Sequence, residues 1–138
     1  MAKSREDLSR WALEKAEEYL LSAQKNIEEE RLFVAAEEIF RAMENSLEAL
    51  LYHKGVKRIA YPGREKEFTG RLALQFLVRD ELVSKGTINS EDYNLYLRYA
   101  SDLHKAGYSY GTFDRKYLED ALEYVESVFY KAKAIVQR

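Results

Sequence analysis

The chain of 138 residues has no cysteine, a single proline and only six glycines. Without cysteine there is no disulfide framework, no thiolate zinc site and no thiol nucleophile. That composition suits a reducing compartment. One proline and few glycines leave little room for long loops. Long hydrophobic runs are also missing: no stretch approaches the ~18–20 apolar residues that cross a bilayer. A basic excess is missing too. The formal net charge is −2, so the chain does not coat nucleic acid nonspecifically, and any such contact has to be local. The first residues, Met1 to Asp7, are charged and lead directly into a helical pattern. They carry no apolar signal-peptide core, and the expected location is the cytoplasm.

What is present is a soluble-domain composition, 46% hydrophobic and 33% charged. Its length suits one domain, residues 1–138, with a real core. Ser4 can cap a first helix, with Asp7 three residues on. Leu8, Ala12, Ala16, Tyr19, Leu20, Ala23 and Ile27 then recur at three- and four-residue steps along one helix face. Glu28-Glu29-Glu30-Arg31 reads as a polar turn. A single helix running on to Tyr52 would span ~70 Å, too long for a compact domain of this size.

The second helix is the most apolar, with Phe33, Ala36, Ile39, Phe40, Met43, Leu47, Leu50 and Leu51 in a wide stripe that predicts a central position. Beside it run Glu37, Arg41, Glu44 and Glu48. Their plain reading is a solvated face of ion pairs, and their sharper one is the polar wall of a cleft. His53 and Gly55 close the helix, the glycine as a left-handed C′ residue. A basic connector follows, with Tyr61-Pro62-Gly63 as its turn. A third helix is predicted over about 65–83, with Phe68, Leu72, Phe76, Leu77 and Leu82 as its apolar residues and Lys85-Gly86 as its stop. Asn89 or Ser90 caps a fourth, whose inward face holds Tyr93, Tyr96 or Leu97, Ala100 and Leu103. Asp114 caps a fifth that carries apolar residues to Val136. No stretch alternates with period two. The prediction is an all-α, up-and-down bundle of about five helices.

Familiar catalytic patterns are absent: there is no glycine-rich phosphate loop, His-Glu-x-x-His or Gly-x-Ser-x-Gly. Two widely separated histidines without cysteine do not make a zinc site, and neither metal nor cofactor is expected. The stretch from Leu97 to Tyr110 stands out instead. It holds Arg98 and His104, with tyrosines on both sides.

At this point the chain resembles a known family. Glu38-x-x-Arg41-Ala42-x-Glu44-x-x-Leu47-Glu48-Ala49-Leu50-Leu51-Tyr52, after an amphipathic first helix, is similar to the first hairpin of HEPN-domain proteins. His104-Lys105-Ala106-Gly107-Tyr108, before a long last helix, resembles the corresponding turn of the small stand-alone members. The resemblance implies an HEPN-like bundle that forms a homodimer. It also implies a metal-independent RNase of toxin type, with Arg98 and His104 matching an Arg-x4–6-His motif. A minimal nucleotidyltransferase would be its antitoxin partner. On that analogy His104 transfers a proton in attack by the RNA 2′-OH, and Arg98 holds the phosphate. Tyr108, Lys105 and Asp102 are flanking candidates for binding. The alternative is a non-catalytic module that binds a nucleotide or pairs with a nucleotidyltransferase, and a third reading is a helical scaffold.

The pattern departs from active relatives in Tyr99, which follows the arginine where a polar residue is common. Geometry sets a further condition. On an unbroken α-helix, residues six apart lie ~120° round the axis and ~9 Å along it. Arg98 and His104 then meet only if the helix unwinds near Asp102 or if a second subunit supplies one of them. The plain alternative pairs Arg98 with Asp102 and packs His104 at a helix end.

Overall fold

The computed structural model describes residues 4–60, 70–105 and 114–137, with the side chains of 104 and 105 outside the description. Five α-helices pack as a bundle: α1 Arg5–Glu28, α2 Leu32–His53, α3 Gly70–Leu77, α4 Ser90–Lys105 and α5 Arg115–Val136. No strand interrupts them among the described residues. No helix among these residues is long and apolar enough to cross a membrane.

The starts of α1, α4 and α5 follow from local chemistry. Ser4 Oγ accepts from the Asp7 N–H at 3.1 Å, Asn89 Oδ1 from the Asp92 N–H at 2.7 Å, and Asp114 Oδ1 from the Tyr117 N–H at 2.7 Å. Each satisfies a backbone donor that the first helical turn leaves without a carbonyl. The C-terminal ends of α1 and α2 share one geometry. After α2, the Val56 N–H bonds back to the Leu51 carbonyl and the Gly55 N–H to that of Tyr52, with Gly55 at φ +100°. After α1, Arg31 bonds to Asn26 and Glu30 to Ile27 in the same way. Here Glu30, at φ +61°, takes the left-handed position that glycine normally fills.

α2 is the central element, packed against α1, α4 and α5. Ala35, Ala36, Ile39, Phe40, Met43, Leu47, Leu50 and Leu51 are all buried. The α1–α2 hairpin is tied across its polar edge by Glu38, which accepts from Ser22 Oγ and from Asn26 Nδ2 at 2.6 Å. Two expected core residues are not in the core. Phe33 is 60% exposed and Leu72 45%. The inward line of α2 runs through Leu32, Ala35, Ala36 and Ile39, so Phe33 sits ~100° round from Leu32 and outside it. In α3 the inward side is taken by Ala73, Leu74 and Leu77.

The third helix ends at Val83 as expected, while positions 65–69 of its expected range lie outside the described residues. Its winding changes on the way. From Val78 to Val83 the chain is π-helical, a wider turn that buries Val78 and Leu82. Gly86, at φ +77°, then redirects the chain towards α4.

Candidate functional site

α4 carries the residues that the sequence marks for function. It is α-helical from Ser90 to Lys105, so it does not unwind near Asp102. Arg98 and His104 therefore keep the regular helical offset of ~120° and ~9 Å. Arg98 is exposed. Among the described residues no carboxylate stands within ion-pair distance of it. The expected alternative of an Arg98–Asp102 pair is not formed. Asp102 is half-buried, and its Oδ2 accepts from the Tyr117 hydroxyl of α5 at 2.6 Å. His104 and Lys105 occupy the last turn of α4. Their side chains, and Tyr108 as a whole, lie outside the described residues.

The tyrosines around Arg98 fasten α4 to its neighbours. Tyr99 packs between Tyr117, at 5.9 Å between ring centres, and Tyr124, at 5.3 Å. The Tyr124 hydroxyl donates to the Asp92 carbonyl at 2.7 Å, and the Tyr93 hydroxyl to the Gln75 carbonyl at 3.2 Å. Burial raises the Tyr117 pKa above its usual value, and the Asp102 carboxylate adds to the shift by accepting its proton and repelling phenolate. Tyr117 thus stays neutral and donating. These contacts hold the backbone of α4 so that Arg98 faces outward from a fixed helix.

A second polar feature lies on α2. Of the stripe Glu37, Arg41, Glu44 and Glu48, the first two follow the plain reading, exposed and paired at 3.2 Å. The last two are half-buried. Burial lifts the Glu44 carboxyl from 4.5 to about 7, and Glu48 pushes it the same way. Arg71 of α3, 3.8 Å away, pulls against both. Burial also raises Glu48, against the attraction of Lys15 on α1. Tyr96 of α4 is 2% exposed. Its hydroxyl is pushed far above its usual pKa by burial, with Glu44 the largest charge acting on it. The stripe therefore divides along its length into a solvated half and a half-buried half. The sequence shows the stripe but not that division, because burial of Glu44 and Glu48 depends on the helices that pack against α2.

His53, the other histidine, closes α2 and borders a surface depression with Arg5 and Arg10 of α1, away from α4. Among the described residues no cluster of His, Cys, Asp or Glu is arranged to hold a metal ion.

Helices, caps and a tyrosine-fastened α4 define an all-α bundle protein with an outward arginine on one helix and a half-buried carboxylate pair on another. The chain belongs to the archaeal PaREP1/PaREP8 family, whose model matches residues 12–129 and so takes in both features. No curated protein and no solved structure matches it.

Proposed function

We propose that this protein is an HEPN-like, metal-independent ribonuclease of toxin type. Its active site is completed between two copies of the chain, with Arg98 and His104 as the catalytic pair. The observation that carries this reading is the state of Arg98: exposed on an unbroken α4 and without a carboxylate partner among the described residues. A guanidinium in that state is available for bidentate contact with a phosphate. His104 follows on the same helix at the Arg-x4–6-His spacing.

In the reaction the RNA 2′-oxygen attacks the adjacent phosphorus as His104 takes its proton. The bond to the 5′-oxygen breaks, and that oxygen takes a proton from solvent water, to which His104 returns the one it removed. The products are a cyclic 2′,3′-phosphate end and a 5′-hydroxyl. Arg98 stabilises the charge that gathers on the phosphoryl oxygens. Imidazole suits proton transfer because it titrates near neutrality. The chain works in the cytoplasm as a homodimer, with a minimal nucleotidyltransferase as its antitoxin partner.

The test is cleavage of RNA in EDTA by the wild type and two variants. His104→Ala should abolish cleavage while helicity stays unchanged. Arg98→Ala should lower the rate by about 10²–10³, the usual cost of losing one group that stabilises transition-state charge. Undiminished cleavage by His104→Ala would remove that residue from the mechanism.

A second reading is favoured by the separation of Arg98 and His104 on one regular helix. If no second copy closes the gap, the chain is a non-catalytic module that binds a nucleotide or pairs with a nucleotidyltransferase. Calorimetric binding of a nucleotide, with RNA left intact, would select it.

A further inference from the structure

On another side of α4 lies a cavity of about 160 Å³ that Arg98 does not line. We infer that this cavity, closed by α2, the π-helical turn, α4 and α5, is a binding site for a small single-ring molecule bearing one anionic group.

The walls define the ring. Leu50, Val78, Ile88 and Val128 make an aliphatic lining, and Tyr93, Tyr96 and Tyr124 add aromatic surface. An apolar cavity of about 150 Å³ accepts a benzene-sized guest, so this one takes one ring and little more. It also has the character of a small-molecule site, mostly apolar with a few polar groups. The π-helical turn belongs to it. Val78 opens that turn, Ile88 follows it, and both reach the cavity. Such wide turns recur at functional sites.

The polar groups define the rest of the ligand. Two of the three tyrosines spend their hydroxyls inside the protein, Tyr93 on the Gln75 carbonyl and Tyr124 on the Asp92 carbonyl. Tyr96 does not. It is 2% exposed, and among the described residues its hydroxyl has no hydrogen-bond partner. No fully buried side-chain polar atom among the described residues lacks a partner, so this hydroxyl keeps a little accessible surface, and a ligand in the cavity has it free to bond. Among the described residues Lys131 of α5 is the only cation lining the cavity, and no described carboxylate pairs with it. Asp92 lines the cavity too, but it sits in the first turn of α4, where the helix terminus already favours its negative charge. An anionic substituent directed to Lys131 therefore fits better than a cationic one directed to Asp92.

The test is a titration of the full chain with benzoate, followed through its methyl and tyrosine ring signals by NMR. Saturable binding is expected, with a dissociation constant on the order of 1 mM for so small a ligand. Tyr96→Phe keeps the ring and should weaken binding about fivefold, the size of one neutral hydrogen bond. Lys131→Ala changes only the exposed rim and should weaken it about threefold, as for a solvated ion pair. Toluene and benzylamine should both bind more weakly than benzoate. The assignment is overturned by an absence of saturable benzoate binding, by both variants binding benzoate as the wild type does, or by benzylamine binding more tightly. Cleavage of RNA does not enter this readout, so it stands or falls separately from the roles of Arg98 and His104.

Discussion

Glu44 is a residue whose environment moves its titration into the neutral range. Its carboxyl titrates at about 7 in the folded protein against 4.5 as the ordinary value, chiefly because it is buried. Between those two values the folded state holds a proton that the unfolded state has lost. Stability from this group is therefore greatest below the window and falls as pH rises through it, by up to ~3 kcal/mol in all. Glu44→Gln mimics the protonated form and should flatten the profile. Urea unfolding at about pH 5 and about pH 8 should show the variant gaining on the wild type at the higher pH. An equal difference at both would mean that Glu44 does not titrate in this range. The Tyr117–Asp102 contact makes a second expectation: Tyr117→Phe should cost roughly 1–2 kcal/mol, since it removes a half-buried bond to a carboxylate. A cost near zero would show that the contact does not fasten α4 to α5. Neither role is legible in the sequence. Glu44 has the same spacing as its exposed neighbours, and Tyr117 lies fifteen residues from Asp102 on a different helix.

At the scale of the helix, the legible features are those whose chemistry is local. Ser4, Asn89 and Asp114 can be read as caps because the donor each satisfies lies three residues away. Gly55 can be read as a helix stop for the same reason. Asp114→Ala should cost about 1 kcal/mol and lower the melting temperature by roughly 3 °C. Gly55→Ala should cost a similar ~1 kcal/mol, because alanine is strained at φ +100° even though open space surrounds the position. A melting temperature unchanged in both variants would show that these ends do not limit stability. The turn between α1 and α2 is legible only from length and charge, because a glutamate does the work of a glycine there. The π-helical winding from Val78 to Val83 leaves no mark in a pattern that α-helix explains equally well. Phe33 misleads because one helical step separates a buried position from an exposed one, and a broad apolar stripe spans both.

At the scale of the whole molecule, five amphipathic stripes with short connections predict a bundle, and α2 takes the central place that its apolar width requires. The candidate catalytic pair is legible as residue types and spacing. How the pair converges is not, because that depends on whether α4 stays regular. It does, from Ser90 to Lys105. Convergence of Arg98 and His104 on one phosphate then calls for a second copy. The decisive measurement is cleavage of RNA in EDTA by a mixture of Arg98→Ala and His104→Ala chains, unfolded together and refolded. Each variant alone should be inactive or nearly so. With random pairing, half the dimers are mixed, and each has one site with both residues intact, so about a quarter of wild-type activity should return. A mixture no more active than the separate variants, beside an active wild type, would contradict a site shared between two copies.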